Sequence, residues 1–398
     1  MFQNWGLVMP LAVYVLGLGI FAMTTSEFMV SGLMPSLAAE FDVSVAAIGY
    51  LISAFAAAMV VGGPVLTVGL LRVPRKHALL ALIGVFLVGQ ALGAVATGYG
   101  VMLLSRVITG VASSAFFGVA IAVAVDLVGP ERRGRASAVV LGGVMFGTVL
   151  GLPATTLVDQ VYGWRASFWA VVLATLLAGL VVLRVVPSGA RPEGISLREE
   201  VVALRNSRLW AAYVTSGLLV GAVFAAFSYF SPIFIEVGGF SPAVVPVLLT
   251  AYGAATVVGN TVVGRFADRY TMPVLTFGLG ALTVTLAGFA LVAGNRALTV
   301  VAVVVLGLVG VSMVPALGAR VMRVADGRPL VNTVHTAVIS LGIGLGSWAG
   351  GLGISAGLSL TSPLWVGVVF AVLGLLSLRA AAPGDAVRDA EVEEVLRA

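Results

Sequence analysis

Residues 44–62, SVAAIGYLISAFAAAMVVG, and residues 241–259, SPAVVPVLLTAYGAATVVG, align without a gap at an offset of 197. Nine of the 19 pairs are identical: Ser44/Ser241, Ala46/Ala243, Leu51/Leu248, Ala54/Ala251, Ala57/Ala254, Ala58/Ala255, Val60/Val257, Val61/Val258 and Gly62/Gly259. A composition this rich in Ala, Val and Gly produces about two such matches by chance, so the pair reads as an internal duplication. Pro35 and Pro232 match at the same offset. Coincidence among small-residue helices is the competing reading.

Outward from this pair the whole chain is apolar. Of 398 residues, 60% are hydrophobic and 10% charged, and the mean hydropathy is +1.11. Soluble domains run near 45–50% apolar and about 25% charged, so most of this surface must face hydrocarbon. Runs of the roughly 20 residues needed to cross a bilayer occur at 9–36, 45–70, 78–97, 101–124, 136–158, 166–186, 209–235, 243–264, 273–293, 298–320, 331–354 and 362–381. They are continuous, not alternating, which favours twelve helices over a barrel.

The connecting segments alternate in charge. Nineteen of the 22 Lys and Arg fall in loops 2–3, 4–5, 6–7, 8–9 and 10–11 and the tail, including Arg72, Arg132, Arg135, Arg205, Arg265, Arg269 and Arg328. The opposite loops hold only Arg165 and Arg296. The positive-inside rule places the basic side, and with it both termini, in the cytoplasm. The longest polar stretch between spans, 187–208, divides the chain. The expected organisation is a six-helix bundle at 1–186, a cytoplasmic loop at 187–208, a second bundle at 209–381 and a cytoplasmic tail at 382–398.

Several functions are excluded. There is no cysteine, so thiolate chemistry and Cys-based metal sites are absent. His77 and His335 are the only histidines. No HExxH, Walker loop or Ser-His-Asp arrangement argues for an enzyme. The net charge of +5 lies in loops and does not point to nucleic acid. The first apolar run is too long, and lacks the basic flank, for a cleaved leader.

Two charges lie inside spans. A charge at bilayer depth costs at least about 2.5–3.5 kcal/mol and therefore faces a cavity or a partner. At 1.5 Å per residue, Glu27 lies about 12 Å and Arg106 about 8 Å below the face whose loops hold almost no Lys or Arg (the loop-poor face). Neither repeats: offset 197 gives Phe224 and Val303. Glu27 is the expected titrating carboxylate and Arg106 its companion; a static Glu–Arg pair holding helices together is the alternative.

Thr25-Ser26-Glu27-Phe28-Met29-Val30-Ser31-Gly32-Leu33-Met34-Pro35 in span 1, Arg106-Val107-Ile108-Thr109-Gly110 in span 4, Pro130 to Ala136 in loop 4–5, and Gly147-Thr148-Val149-Leu150-Gly151-Leu152-Pro153 in span 5 together resemble the major facilitator superfamily. Within it, the chain is similar to the twelve-span drug:proton antiporters of the bacterial chloramphenicol-resistance and sugar-efflux branch. The resemblance implies an all-α fold of two pseudo-symmetric six-helix bundles in the bacterial inner membrane. It also implies a monomer without cofactor, driven by the proton gradient, with a small-molecule substrate, protons and the bilayer as partners. Efflux by antiport is expected, with chloramphenicol or a related drug as substrate; export of a sugar or nucleoside, or proton symport, is the alternative.

The same resemblance carries gate and motif roles onto Arg72, Arg135, Gly147, Gly151, Pro153, Gly264, Asp268 and Arg269; Asp126, at the cytoplasmic end of span 4, is a further gate candidate, with a solvated helix terminus as the competing reading. The loop 8–9 motif is intact as Gly264 to Arg269, whereas its counterpart, with Thr67 and Leu71, lacks the glycine and the acid. Phe55, Gln90, Phe227, Tyr252 and Trp348 are candidate cavity side chains, with helix packing or lipid contact as the competing role for each.

Overall fold

The computed structural model describes residues 9–70, 73–187, 204–325 and 329–395, with the backbone alone for 379–395. Among the described residues, twelve long helices follow one another. In the first half they are α1 (Leu11–Gly32), α2 (Val45–Leu70), α3 (Arg75–Ala94), α4 (Tyr99–Asp126), α5 (Arg133–Tyr162) and α6 (Trp164–Val185). In the second they are α7 (Ser207–Phe227), α8 (Val245–Ala267), α9 (Thr271–Val292), α10 (Arg296–Val324), α11 (Pro329–Ser355) and α12 (Ser362–Val395). Eleven are long and apolar enough to cross a bilayer; in α12 the apolar part is Ser362–Leu378. Helices satisfy every backbone group within the segment, as hydrocarbon demands. Most of the central stretch at 187–208 lies outside the described residues.

The ends expected for spans 1 and 7 require correction. Continuous helices were expected to 36 and 235, but α1 stops at Gly32 and α7 at Phe227. A short helix, Met34–Phe41, resumes after α1, and Phe230–Pro232 with a π turn at Ile233–Val237 after α7. Pro35 and Pro232, which lack a backbone N–H, stand just past these breaks. The two proline positions matched by the repeat thus interrupt equivalent helices.

The duplication reaches the packing. A methyl group built on Gly110 of α4 would lie 2.5 Å from the Phe55 carbonyl oxygen of α2. At offset 197, one built on Gly307 of α10 would lie 2.6 Å from the Tyr252 carbonyl oxygen of α8. Gly62 meets Val111 as Gly259 meets Leu308. Only glycine lets these backbones approach so closely, and in lipid such approach drives helix association.

The two halves join at the loop-poor end. Ser231 donates to the Ser31 carbonyl at 2.8 Å. The Ser347 hydroxyl donates to the Gly49 carbonyl at 3.0 Å, and Ser53 to the Gly344 carbonyl at 3.0 Å. Tyr50 and Ser355 share a hydrogen bond at 3.2 Å. Between α2 and α11 sits the buried Tyr229 ring, against Gly49 and Gly351, with its hydroxyl donating to the Ser347 carbonyl at 2.8 Å.

Candidate functional site: a central cavity beside Glu27

Between the halves lies a cavity of about 250 Å³. Its wall combines Glu27 and Phe28 of α1, Met145, Thr148 and Val149 of α5, Phe224 and Phe227 of α7, Tyr252, Thr256 and Asn260 of α8, and Thr336 and Ser340 of α11. Leu141, Asn260, Val314 and Thr336 carry the wall toward the basic-loop end. The opposite end is closed by the seam just described.

α5 reaches this wall through a defect. Its first stretch, Arg133–Phe146, passes into a π turn at Gly147–Gly151 before resuming at Leu152–Tyr162. Pro153 cannot donate within the helix and its ring crowds the preceding turn, and the wide turn absorbs the mismatch. Gly147 and Gly151 let this irregular segment lie on Thr24 and Thr25 of α1. Thr148 and Val149 are thereby presented to the cavity.

Glu27 is 7% exposed and lines the cavity. Arg106 is fully buried at 0% exposure, in a cluster of its own. Its guanidinium donates to the Ser26 carbonyl at 2.8 Å, to the Ser26 hydroxyl at 3.1 Å and to the Gln90 side-chain oxygen at 3.1 Å. Ser26 also donates to Gln90 at 2.7 Å. The Phe55 and Phe168 rings flank the guanidinium, each with its centroid 5.4 Å away. The static Glu27–Arg106 ion pair weighed from the sequence does not form: no N···O approach falls within 4.0 Å. One residue of helix turns the side chain by about 100°, so Ser26 faces Arg106 while Glu27 faces the cavity.

Of the candidate cavity side chains, Phe227 and Tyr252 lie in the wall. Phe55 and Gln90 lie instead in the arginine cluster. Trp348 is 46% exposed and is not part of the wall, because its neighbour Ser347 is the residue turned toward α2. Sequence reasoning missed Phe28, Phe224, Thr256 and Thr336. The i, i+4, i+8 stripe Tyr252, Thr256 and Asn260 is a signal that marks the wall face of α8.

The other described motif residues, outside the α5 stretch Gly147 to Pro153, occupy the basic-loop end. Asp126 pairs with Arg75, which also donates to the Ala122 carbonyl at 3.2 Å. Arg135 is exposed. The Asp268 main-chain carbonyl accepts from Arg323. Arg269 lies over the Tyr270 ring at 5.3 Å, and Gly264 borders open space. Arg72 lies outside the described residues. His335 stands apart from the cavity wall, with Nε2 2.9 Å from the Ser216 hydroxyl and its ring stacked on Tyr213 at 5.8 Å.

Two helical bundles around a buried, largely apolar cavity define a polytopic membrane transporter, and comparison with known proteins agrees. The sequence profile described as Major Facilitator Superfamily matches residues 16–326 and 239–397. The chain belongs to the major facilitator superfamily. It is 34% identical over 392 residues to a chloramphenicol resistance protein of Streptomyces lividans, covering 96% of this chain and 100% of that one. It is 35% identical over 371 residues to the inner membrane transport protein YdhP of Escherichia coli K12, covering 91% and 93%. A solved bacterial homologue of the human lysosomal transporter Spinster, inward-facing and unoccupied, shares the fold with a TM-score of 0.75 at 16% identity over 93% of this chain and 96% of that one.

Proposed function

We propose that this chain is a proton-coupled exporter of a small, neutral, amphiphilic compound, working by alternating access in the bacterial inner membrane with both termini in the cytoplasm. The observation that carries the reading is the Glu27 carboxyl in the wall of an otherwise largely apolar cavity, with no direct N···O contact to Arg106. A carboxyl so placed can hold a proton or face a substrate, and the competition couples the two fluxes. Glu27 carries the coupling and Arg106 holds its helix. The relation to a chloramphenicol resistance protein makes chloramphenicol the first compound to try. With the basic loops inside, the closed seam is the outer gate and the cavity faces inward.

Proteoliposomes test the reading. With an imposed proton gradient, the wild type accumulates chloramphenicol on the acidic side with counterflow of protons. Glu27→Gln binds the compound but drops gradient-driven transport at least tenfold, to about the rate of facilitated exchange. Wild-type rates in Glu27→Gln refute the assignment, and proton flow in the same direction as the compound would establish symport instead.

A further inference from the structure

The cavity ends, at the closed gate, in rings from both halves. Phe28 of α1 meets Phe224 of α7 at 5.5 Å and Phe227 at 5.9 Å between centroids. Phe224 and Phe227 lie 5.3 Å apart, and Phe227 lies 5.2 Å from Tyr252. All four residues line the cavity. Phe28 is the sole member from the first half, and it follows Glu27 directly. The Ser231-to-Ser31 hydrogen bond that ties the short helix after α7 to α1 lies about one turn beyond. A second observation bears on the same spot. Tyr252 is 1% exposed and its hydroxyl has no hydrogen-bond partner; the Thr256 hydroxyl, one turn on, is directed at the Tyr252 carbonyl at 2.9 Å. A buried hydroxyl without a partner is costly, so the closed gate leaves this group unsatisfied where the cavity ends.

Resting on the export reading, we propose that the transporter selects planar aryl compounds by ring exchange: the substrate ring replaces Phe28 against Phe224 and Phe227. Ring pairs prefer tilted and edge-to-face contacts that a saturated ring of equal size does not reproduce. The substrate therefore takes over contacts that hold α1 on α7, and occupancy loosens the outer gate. Opening also gives the Tyr252 hydroxyl access to a partner, which adds to the same bias. Because Phe28 and Glu27 are adjacent, the ring that is displaced and the carboxyl that titrates move on one helix.

The test uses the full-length protein in nanodiscs with chloramphenicol and two acetamides differing only in phenyl against cyclohexyl. The chain has no cysteine, so a spin-label pair at Val161 and Leu358, one at the loop-poor end of each half, reports gate opening. The wild type binds the phenyl compound about five- to tenfold tighter than the cyclohexyl one, from the strength of ring–ring contacts, and only aryl ligands lengthen the label distance. Phe224→Leu/Phe227→Leu brings the affinity ratio near one and abolishes the lengthening; the single Phe28→Leu variant, which leaves both receiving rings in place, keeps the preference for phenyl and lengthens the label distance without ligand. Equal affinity for the two acetamides in the wild type, no binding of any of the three compounds, or an unchanged label distance with aryl ligand overturns the proposal. Glu27→Gln keeps both the discrimination and the lengthening while losing gradient-driven flux. Failure of proton coupling is thereby separable from failure of ring exchange.

Discussion

The two halves share a backbone and differ in chemistry. Gly110 against Phe55 and Gly307 against Tyr252 are the same contact 197 residues apart, yet the surroundings diverge. In the first half Phe55 flanks Arg106, which binds Ser26 and Gln90. In the second, the counterpart of Arg106 is the fully buried Val303, and Tyr252 joins the cavity rings. Glu27 faces the cavity where its counterpart Phe224 also does. Duplication preserved the glycines that set helix separation, and the side chains between them were free to specialise. One half became the ionic side and the other the aromatic side of a single cavity.

The comparison breaks most visibly at Arg106. Arg106→Leu removes the donor to the Ser26 carbonyl and hydroxyl and one of the two donors to the Gln90 oxygen, and the expected cost is about 3 kcal/mol or more. Thermal unfolding in detergent should show it, together with at least tenfold slower gradient-driven transport. Val303→Ala, at the mirror position, should cost about 2 kcal/mol from cavity formation alone and leave proton coupling intact. Equal transport losses in the two variants would end the division of labour.

Gly110→Ala and Gly307→Ala sharpen the shared part. Each puts a methyl group against a carbonyl oxygen, and each should destabilise by about 1–3 kcal/mol. Unequal melting shifts would show that the repeat no longer governs packing. At the seam between the halves, Tyr229→Phe removes the hydrogen bond to the Ser347 carbonyl, worth about 0.5–1.5 kcal/mol. Spin labels at the loop-poor end should then report a larger open fraction; an unchanged distribution removes Tyr229 from the gate. The smallest effect is expected for Arg75→Ala. Its pair with Asp126 lies at the partly exposed basic end, where such pairs contribute at most about 1 kcal/mol. A double-mutant cycle with Asp126→Ala would measure it.

Much of this was legible before any coordinates. Spans 2 to 6 and 8 to 11 fall within a few residues of their helices. The helix breaks after α1 and α7 were signalled by Pro35 and Pro232, although the runs read as continuous because the residues across each break stay apolar. At the site, Glu27, Phe227 and Tyr252 were legible as an unusual charge and two large rings in spans. Phe55, Gln90 and Trp348 were equally plausible, yet they point elsewhere. A rotation of about 100° per residue separates cavity from packing face, and in a membrane helix both faces are apolar. The amphipathic pattern that orients a helix in a soluble protein is therefore weak here.

By itself the sequence determined the membrane class, the twelve spans, the duplication and the superfamily. These rest on the length of apolar runs and on motif order, which are properties of the chain read in one dimension. Only the tertiary structure decided that Arg106 binds Ser26 and Gln90 and not Glu27, that rings from both halves close the cavity, and that the seam lies at the loop-poor end. The reason is geometric. Ser26 and Glu27 are adjacent in the chain but face different surroundings, the arginine cluster and the cavity, and which of these each meets depends on the helices packed around α1.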